Sequence, residues 1–226
     1  MLKPRKRLVK AKLKEDNLLI YSAKSQQFFR ENWKSLVYGV AAILVVVVVA
    51  GFINMTQNAK ESDAAYEELL ARDAFMQADY EEALKHIDII QNDFSGTRSA
   101  TMALFLKGRI HQQRGEYPQA EELFHELANR HKDQPYLAFS AYNALGVIAS
   151  GNKNYEEAAK NYQAAATHFP THFNAAVALL DAGDCMKKLS RYEEAKRIYK
   201  SVISKYPKAR VADQARNNLA ELEFLG

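Results

Sequence analysis

Cysteine, proline and glycine are all scarce in this chain of 226 residues. The single cysteine, Cys185, excludes an intramolecular disulfide and any metal site built from clustered cysteines. Nine glycines and five prolines are too few for a collagen-like or low-complexity chain. Hydrophobic residues make up 48% of the sequence, so a packed core is expected to supply the stability that disulfides cannot.

Charged residues are absent between Lys34 and Lys60. Within that window lies the apolar run LVYGVAAILVVVVVAGFI, which begins at Leu36 and ends at Ile53. As a helix, the run would span about 27 Å, close to the ~30 Å hydrocarbon core of a bilayer. A soluble strand is rarely longer than about ten residues, which disfavours a buried core segment. A cleaved signal peptide is disfavoured too, because its basic region would exceed thirty residues and no small-residue cleavage pattern follows.

Positive charge is concentrated before this apolar run. Residues 1–34 contain ten Lys or Arg and three acidic residues, whereas residues 60–226 contain 21 and 24. The net charge of +4 therefore does not predict nucleic-acid binding by the whole protein. The positive-inside rule predicts a cytoplasmic N-terminus, a single pass through the inner membrane and an exported C-terminal part, which is periplasmic in a Gram-negative cell.

Residues 13–34 of the basic arm mix Leu, Ile, Phe and Trp with charges. This composition fits an amphipathic helix on the membrane surface, and a partly ordered tail is the alternative. The basic residues act most simply as a topology signal. Binding of anionic lipid or ribosomal RNA by the arm is a further alternative.

One sequence pattern occurs four times after the apolar run. Its tyrosines are 37, 38 and 37 residues apart, and they are Tyr80, Tyr117, Tyr155 and Tyr192. Three places after each comes an alanine, and seven places after come Ile87, Phe124, Tyr162 and Tyr199. Nine places before the last three tyrosines lie Gly108, Gly146 and Gly183. The spacing predicts four helical hairpins in which a small residue lets two helices cross closely.

These residues resemble the tetratricopeptide repeat, which combines a small residue on helix A, the Tyr, Ala and aromatic pattern on helix B, and a closing proline. Pro170 and Pro207 close the last two units. The first unit departs from the pattern with Ala71 and Ser95, and the second has Lys132 at the proline position. The resemblance implies an all-α solenoid whose A helices line a concave face.

The domain boundaries follow from these patterns. Apolar residues at helical spacing after Pro207, namely Val211, Ala215, Leu219 and Leu222, predict a capping helix. We predict a basic cytoplasmic arm over residues 1–34, a transmembrane helix over 35–56 and a repeat domain over 60–226. Its units cover about 64–97, 101–134, 139–172 and 176–209, and the cap covers 209–224.

No residue pattern indicates catalysis, a cofactor or a metal. The repeats and the cap fill the exported part, so no catalytic domain is expected and the protein is predicted not to be an enzyme. His125 and His131 are six residues apart, whereas two ligands on one helix face need a spacing of four. Pro170 separates His168 from His172 and breaks the helix that would align them. Cys185 is expected to be a small buried hydrophobe.

The resemblance also implies a partner-binding groove on the A helices. The family's groove positions correspond here to Ala65, Glu68, Arg72, Met102, Phe105, Arg109, Ser140, Asn143, Val147, Val177, Leu180 and Asp184. We select eight as the predicted partner-binding groove: Arg72, Met102, Phe105, Arg109, Asn143, Val147, Leu180 and Asp184. Glu68 and Arg72 replace the Lys and Asn with which some repeat proteins grip a C-terminal carboxylate, so that clamp is not expected.

The order of segments resembles one particular family. A basic arm, the motifs LKEDNLL and FFRENWK, one apolar run and then the repeats are similar to YfgM-like bitopic membrane proteins. That family is regarded as a group of ancillary Sec-translocon subunits, so the resemblance implies periplasmic chaperones or emerging clients as protein partners. An envelope protein that coordinates cell division or outer-membrane assembly is the alternative, and self-association through the repeats is a third.

Overall fold

The described part of the chain is helical outside its turns. The computed structural model describes residues 6–130 and 134–224, with side chains from residue 20 onward. These residues form nine α-helices and no strand. The helices are α1 (Lys6–Met76), α2 (Tyr80–Asp93), α3 (Arg98–Gln113), α4 (Tyr117–Arg130), α5 (Pro135–Gly151), α6 (Tyr155–His168), α7 (Ala175–Lys188), α8 (Tyr192–Lys205) and α9 (Val211–Phe224).

The chain divides into two compact units, Met1–Asn58 and Ala59–Gly226. Helix α1 contributes residues to both units, whereas the sequence predicts a membrane helix over 35–56 and a repeat domain from residue 60. The helix continues because residues 54–63 contain neither proline nor glycine, the residues that most often end a helix. Lys132 and residues 1–5 of the predicted arm lie outside the described residues.

The first unit exposes its apolar run. Every side chain from residue 37 to residue 53 is exposed. By length and composition, the segment Ile20–Met76 is the one described helix that qualifies as a candidate membrane span, and its most apolar window has a mean hydropathy of 2.9. None of that window is buried against other protein atoms.

The second unit is a series of helical hairpins with uniform turns. In each hairpin, helix A (the end of α1, then α3, α5 and α7) is joined to helix B (α2, α4, α6 and α8) by three residues. The middle residue of each turn has positive φ, namely Ala78, Gly115, Lys153 and Ser190. At Ala78, the next N–H donates to the Ala74 carbonyl (2.9 Å) and the Ala78 N–H donates to the Phe75 carbonyl (3.0 Å). The same two bonds recur in all four turns, which are Schellman motifs.

The connections from helix B to the next helix A vary in length. Among the connections that the structure describes throughout, there are four residues after α2, six after α6 and five after α8. Variation in the length of the described connections is therefore confined to those that join helix B to the next helix A.

Close contact between helices A and B depends on glycine in three of the hairpins. A Cβ atom added to Gly146 would lie 2.6 Å from the Tyr162 ring, far inside van der Waals contact. The corresponding distances are 2.7 Å for Gly108 to Phe124 and 2.5 Å for Gly183 to Tyr199. In the first hairpin, the buried pair is instead Ala71 and Ile87. Where helix A has alanine in place of glycine, helix B thus has isoleucine in place of the larger aromatic residue.

Neighbouring helices of the described chain bury small and aromatic side chains in three clusters. Each helix from α2 to α8 packs against the next one along the chain. At the C-terminal end, α9 packs on both α8 and α7 and buries Leu222 in the cluster that contains Tyr199. Helix α9 therefore covers α7, which is helix A of the last hairpin. This contact determines which residues of α7 remain accessible to a partner.

Candidate functional site

An open cavity of about 490 Å³ lies between the A helices of the second and third hairpins. We call it the α3–α5 cleft. The side chains that define it are Arg109, Gln112, Gln113, Tyr117, Asn143 and Val147. Three of the eight residues in the predicted groove, Arg109, Asn143 and Val147, are thus brought together.

The glycine positions explain why these side chains meet. Gly108 and Gly146 face helix B of their own hairpins. The next residue along an α-helix is rotated by about 100°, so Arg109 and Val147 are turned away from helix B. Asn143 lies four residues before Val147 and therefore shares its face of α5.

Arg109 is the unusual charge of this cleft. Its Nε atom is buried and has no hydrogen-bond partner. Arg114 and Arg191, by contrast, are paired with carboxylates: Arg114 lies 2.7 Å from Glu81, and Arg191 lies 2.6 Å from Glu194. No carboxylate of the described residues lies within ion-pair distance of Arg109. Because an unsatisfied buried donor costs free energy, Arg109 is a cation with unused hydrogen-bonding capacity.

The rest of the cleft wall combines amides with exposed apolar surface. The carboxamide groups of Gln112, Gln113 and Asn143 can each donate and accept hydrogen bonds. None of the three is hydrogen-bonded to another described residue. Val147 is 46% exposed beside them. The cleft therefore offers one cation, several donors and acceptors, and an aliphatic contact.

The other predicted groove residues on α3 and α1 lie outside this cleft. Phe105 is half-buried, with its ring centroid 5.7 Å from that of Phe124, and so it serves mainly in packing between helices. Met102 is also half-buried. Arg72 is exposed, and its guanidinium lies 3.5 Å from the Glu68 carboxylate.

The structure differs most from the expected groove on α7. Leu180 is only 3% exposed and lies in the core cluster with Leu222, so a partner on the surface does not reach it. The Asp184 carboxylate accepts hydrogen bonds from the Tyr199 hydroxyl (2.7 Å) and the Asn218 amide (2.9 Å). Helix α9 covers this part of α7, and Asp184 has a structural role as an anchor for that helix.

Six residues that line the cleft were not predicted: the polar Gln112, Gln113 and Tyr117, and the apolar or small Ala144, Ile148 and Gly151. The sequence contained a usable signal, because Gln112 and Gln113 follow Arg109 by one helical turn and share its side of α3. The repeat pattern identifies Tyr117 only as the residue that begins helix B, whereas in the structure its side chain is 41% exposed.

A partly buried acidic group, Asp181, lies on α7, outside the cleft. The pKa of Asp181 is raised from its usual 3.8 to about 6, mainly by burial and also by the nearby Asp184 charge, while Lys188 opposes the shift. Asp181 carries no hydrogen bond from the described residues. It is therefore a source of pH-dependent stability.

The described ranges contain no group of three or more His, Cys, Asp or Glu side chains placed to hold a metal ion. His172 stacks on Phe139 and Phe173, with ring centroids 3.7 Å and 4.4 Å apart. Cys185 is a buried free cysteine, and burial raises the pKa of its thiol. His131 lies outside the described residues.

Uniform hairpins, glycine-dependent crossings and a cleft between A helices define a helical-repeat protein. A family model described as a tetratricopeptide repeat-like domain matches residues 26–222, and the chain belongs to that family. The match begins before the apolar run, so one model includes both the run and the repeats. No curated protein matches the chain significantly. Repeats of this family typically bind other proteins and do not catalyse reactions.

Proposed function

We propose that this protein is a membrane-anchored scaffold for protein–protein interactions on the exported side of the inner membrane. In this proposal, the apolar run of residues 36–53 crosses the bilayer once and the repeats bind protein partners. The observation that carries the anchoring is the complete exposure of residues 37–53. Soluble proteins rarely expose a continuous apolar surface of this size to water, and a bilayer removes it from water.

The charge distribution supports the orientation. Seven Lys or Arg residues lie within the first fourteen positions, whereas the first charged residue after the run is Lys60. Basic segments next to a span remain in the cytoplasm. The N-terminus is therefore cytoplasmic in this proposal, and the repeats are periplasmic in a Gram-negative cell.

We also propose the partners: the Sec translocon on one side, and periplasmic chaperones or emerging clients on the other. The support is the order of arm motifs, single apolar run and repeats, which resembles YfgM-like proteins. The α3–α5 cleft supplies a surface for such partners, because it combines unpaired polar groups with an exposed aliphatic side chain.

A reporter enzyme that is active only outside the cytoplasm tests the topology. Fused after Gly226, it is expected to be active. The matched control is the same reporter fused after Lys34, before the apolar run, where it is expected to be inactive. Inactivity of the Gly226 fusion, with the fused protein present in the membrane fraction, would contradict the proposed orientation.

Co-purification of the full chain in mild detergent tests the proposed partners. Translocon subunits and periplasmic chaperones are the expected partners. Recovery of division or outer-membrane assembly components in their place would favour the envelope-coordinating function. Recovery of the protein with only further copies of itself would favour self-association.

A further inference from the structure

We infer that the α3–α5 cleft binds an extended peptide segment and that Arg109 pairs with a carboxylate side chain of that segment. The inference rests on the proposed scaffold function and specifies what one surface of the scaffold recognises. It concerns the cleft alone, whichever larger protein carries the segment.

The charge is the first step of the argument. Arg109 has a buried Nε atom without a partner, although five guanidinium N–H donors are available to it. The nearest acidic residue along the chain, Glu116, already contacts the His111 ring at 2.5 Å. A carboxylate is the anion whose planar geometry matches guanidinium in a bidentate, charge-assisted pair. The cleft therefore has charge complementarity to an acidic side chain.

The amides are the second step. Gln112, Gln113 and Asn143 present donors and acceptors together, and none is used within the described part of the protein. An extended peptide exposes one N–H and one C=O per residue, which are complementary to such amides. A phosphate offers mainly acceptors and is usually held by several cations, whereas Arg109 is the one cation among the described residues that line this cleft. These features favour a peptide.

The apolar contact is the third step. Val147 is 46% exposed on the same wall as Asn143. An aliphatic side chain next to the acidic residue of the peptide would cover it. A volume of about 490 Å³ accommodates a few residues of extended chain and no folded domain. The recognised unit is therefore a short segment with an acidic residue beside an aliphatic one.

Binding of defined peptide pools to the full chain in detergent tests the inference. The probes are fluorescein-labelled nonapeptides with amidated C-termini, a fixed central residue, and Ala, Val, Leu or Ser elsewhere. The central residue is Glu or Asp in the acidic pools and Gln or Asn in the neutral pools. Fluorescence anisotropy gives the affinities. We expect acidic pools to bind roughly tenfold more tightly than neutral pools, as one charge-assisted contact implies.

Substitutions assign this preference to the cleft. Arg109→Gln is expected to abolish the preference for acidic pools, and Arg109→Lys to retain part of it. Arg130→Gln is the matched control, because Arg130 is exposed and pairs with Glu126 on α4. This variant is expected to keep the full preference. Circular dichroism checks that all three variants remain helical.

Several outcomes would overturn the inference. Equal binding of acidic and neutral pools, or a preference that persists in Arg109→Gln, would contradict recognition by this arginine. Absence of binding by every pool would contradict peptide binding in the cleft. The scaffold function is judged separately by co-purification, so its failure is distinguishable.

Discussion

The apolar run and the repeat helices are both helical and rich in hydrophobic residues, yet they treat those residues in opposite ways. Residues 37–53 expose every side chain. In the repeats, alanines and aromatics are buried between neighbouring helices, and Ala83, Phe124 and Tyr199 are fully inaccessible. The repeats obtain their stability from one another, whereas the run depends on its surroundings. The difference shows that hydrophobic content alone does not indicate a core.

A pair of charges in the apolar run is expected to have the largest effect of the substitutions considered, because this run lacks any protein core to support it. Val45→Arg combined with Val47→Arg is expected to cost about 5–7 kcal/mol of membrane insertion, since each arginine at the centre of a span costs about 2.5–3.5 kcal/mol. The protein should move from the carbonate-resistant membrane fraction to the soluble or aggregated fraction.

The same substitution in the repeats serves as its control. Val177 is 38% exposed on α7, and Val177→Arg is expected to leave the protein in the membrane fraction. An unchanged distribution of the doubly substituted chain would mean that residues 36–53 do not anchor it.

A leucine at a helix crossing tests the close packing on which the repeats depend. Gly146→Leu places side-chain atoms against the Tyr162 ring and is expected to lower the free energy of unfolding by about 1–3 kcal/mol. Because each hairpin is stabilised by its neighbours, the loss should spread along the array. Urea denaturation of the full chain in detergent, followed by circular dichroism, measures it.

Two other glycines provide matched controls for this leucine. Gly51 in the apolar run and Gly151 at the end of α5 have nothing within 4 Å of an added Cβ. Gly51→Leu and Gly151→Leu should therefore leave the urea midpoint of the repeats nearly unchanged. Equal destabilisation by all three substitutions would contradict a specific crossing at Gly146.

A pH dependence is expected from the repeats and not from the uncharged run. The pKa of Asp181 is about 6 in the folded protein and near 3.8 when unfolded. Between these values the folded state binds more protons, so the free energy of unfolding falls as pH rises from about 4 to about 6. The lost stability amounts to about 1–2 kcal/mol after allowance for partial exposure.

Asp181→Asn tests the source of that dependence. The variant should show a smaller fall in stability between pH 4 and pH 6 and should be more stable than the wild type at pH 7. Asp213→Asn is the control, because Asp213 is exposed on α9. An unchanged pH profile in Asp181→Asn would assign the dependence to another group.

The smallest expected effect concerns a turn between helices A and B. Gly115 has a φ of 74°, and Gly115→Ala should cost about 0.5–1 kcal/mol because a Cβ is strained in this region. Lys153→Gly, at the equivalent position, removes such strain and should change stability by a few tenths in the opposite direction. Thermal denaturation compares the two, and the same sign for both would contradict the equivalence of the turns.

The all-helical repeat architecture was predictable because its signals are local and periodic. The tyrosines predicted to begin B helices do begin α2, α4, α6 and α8, and the family match confirms the tetratricopeptide-like repeats. The continuity of α1 was not predicted, because a change from apolar to polar residues resembles a boundary even where nothing ends the helix. Helix propensity therefore predicted which segments are helical better than it predicted where each helix begins and ends.

The candidate site was predictable only where no other helix covers helix A. Arg109, Asn143 and Val147 lie between two A helices and meet in the cleft, as their repeat positions suggested. Leu180 and Asp184 occupy comparable positions on α7, but α9 packs against that helix. How far a capping helix reaches depends on tertiary contacts such as Asn218 with Asp184, which no local pattern reveals.

The uniform turns bear on how this protein could change in length. Each passage from helix A to helix B uses three residues, one positive φ and two fixed hydrogen bonds, so an inserted residue there would destroy a Schellman motif. The opposite connections already range from four to six residues. Loops, tags and additional domains are therefore expected to be tolerated at the edge formed by those variable connections. Evolutionary insertions and engineered fusions should be found on that single edge of the array.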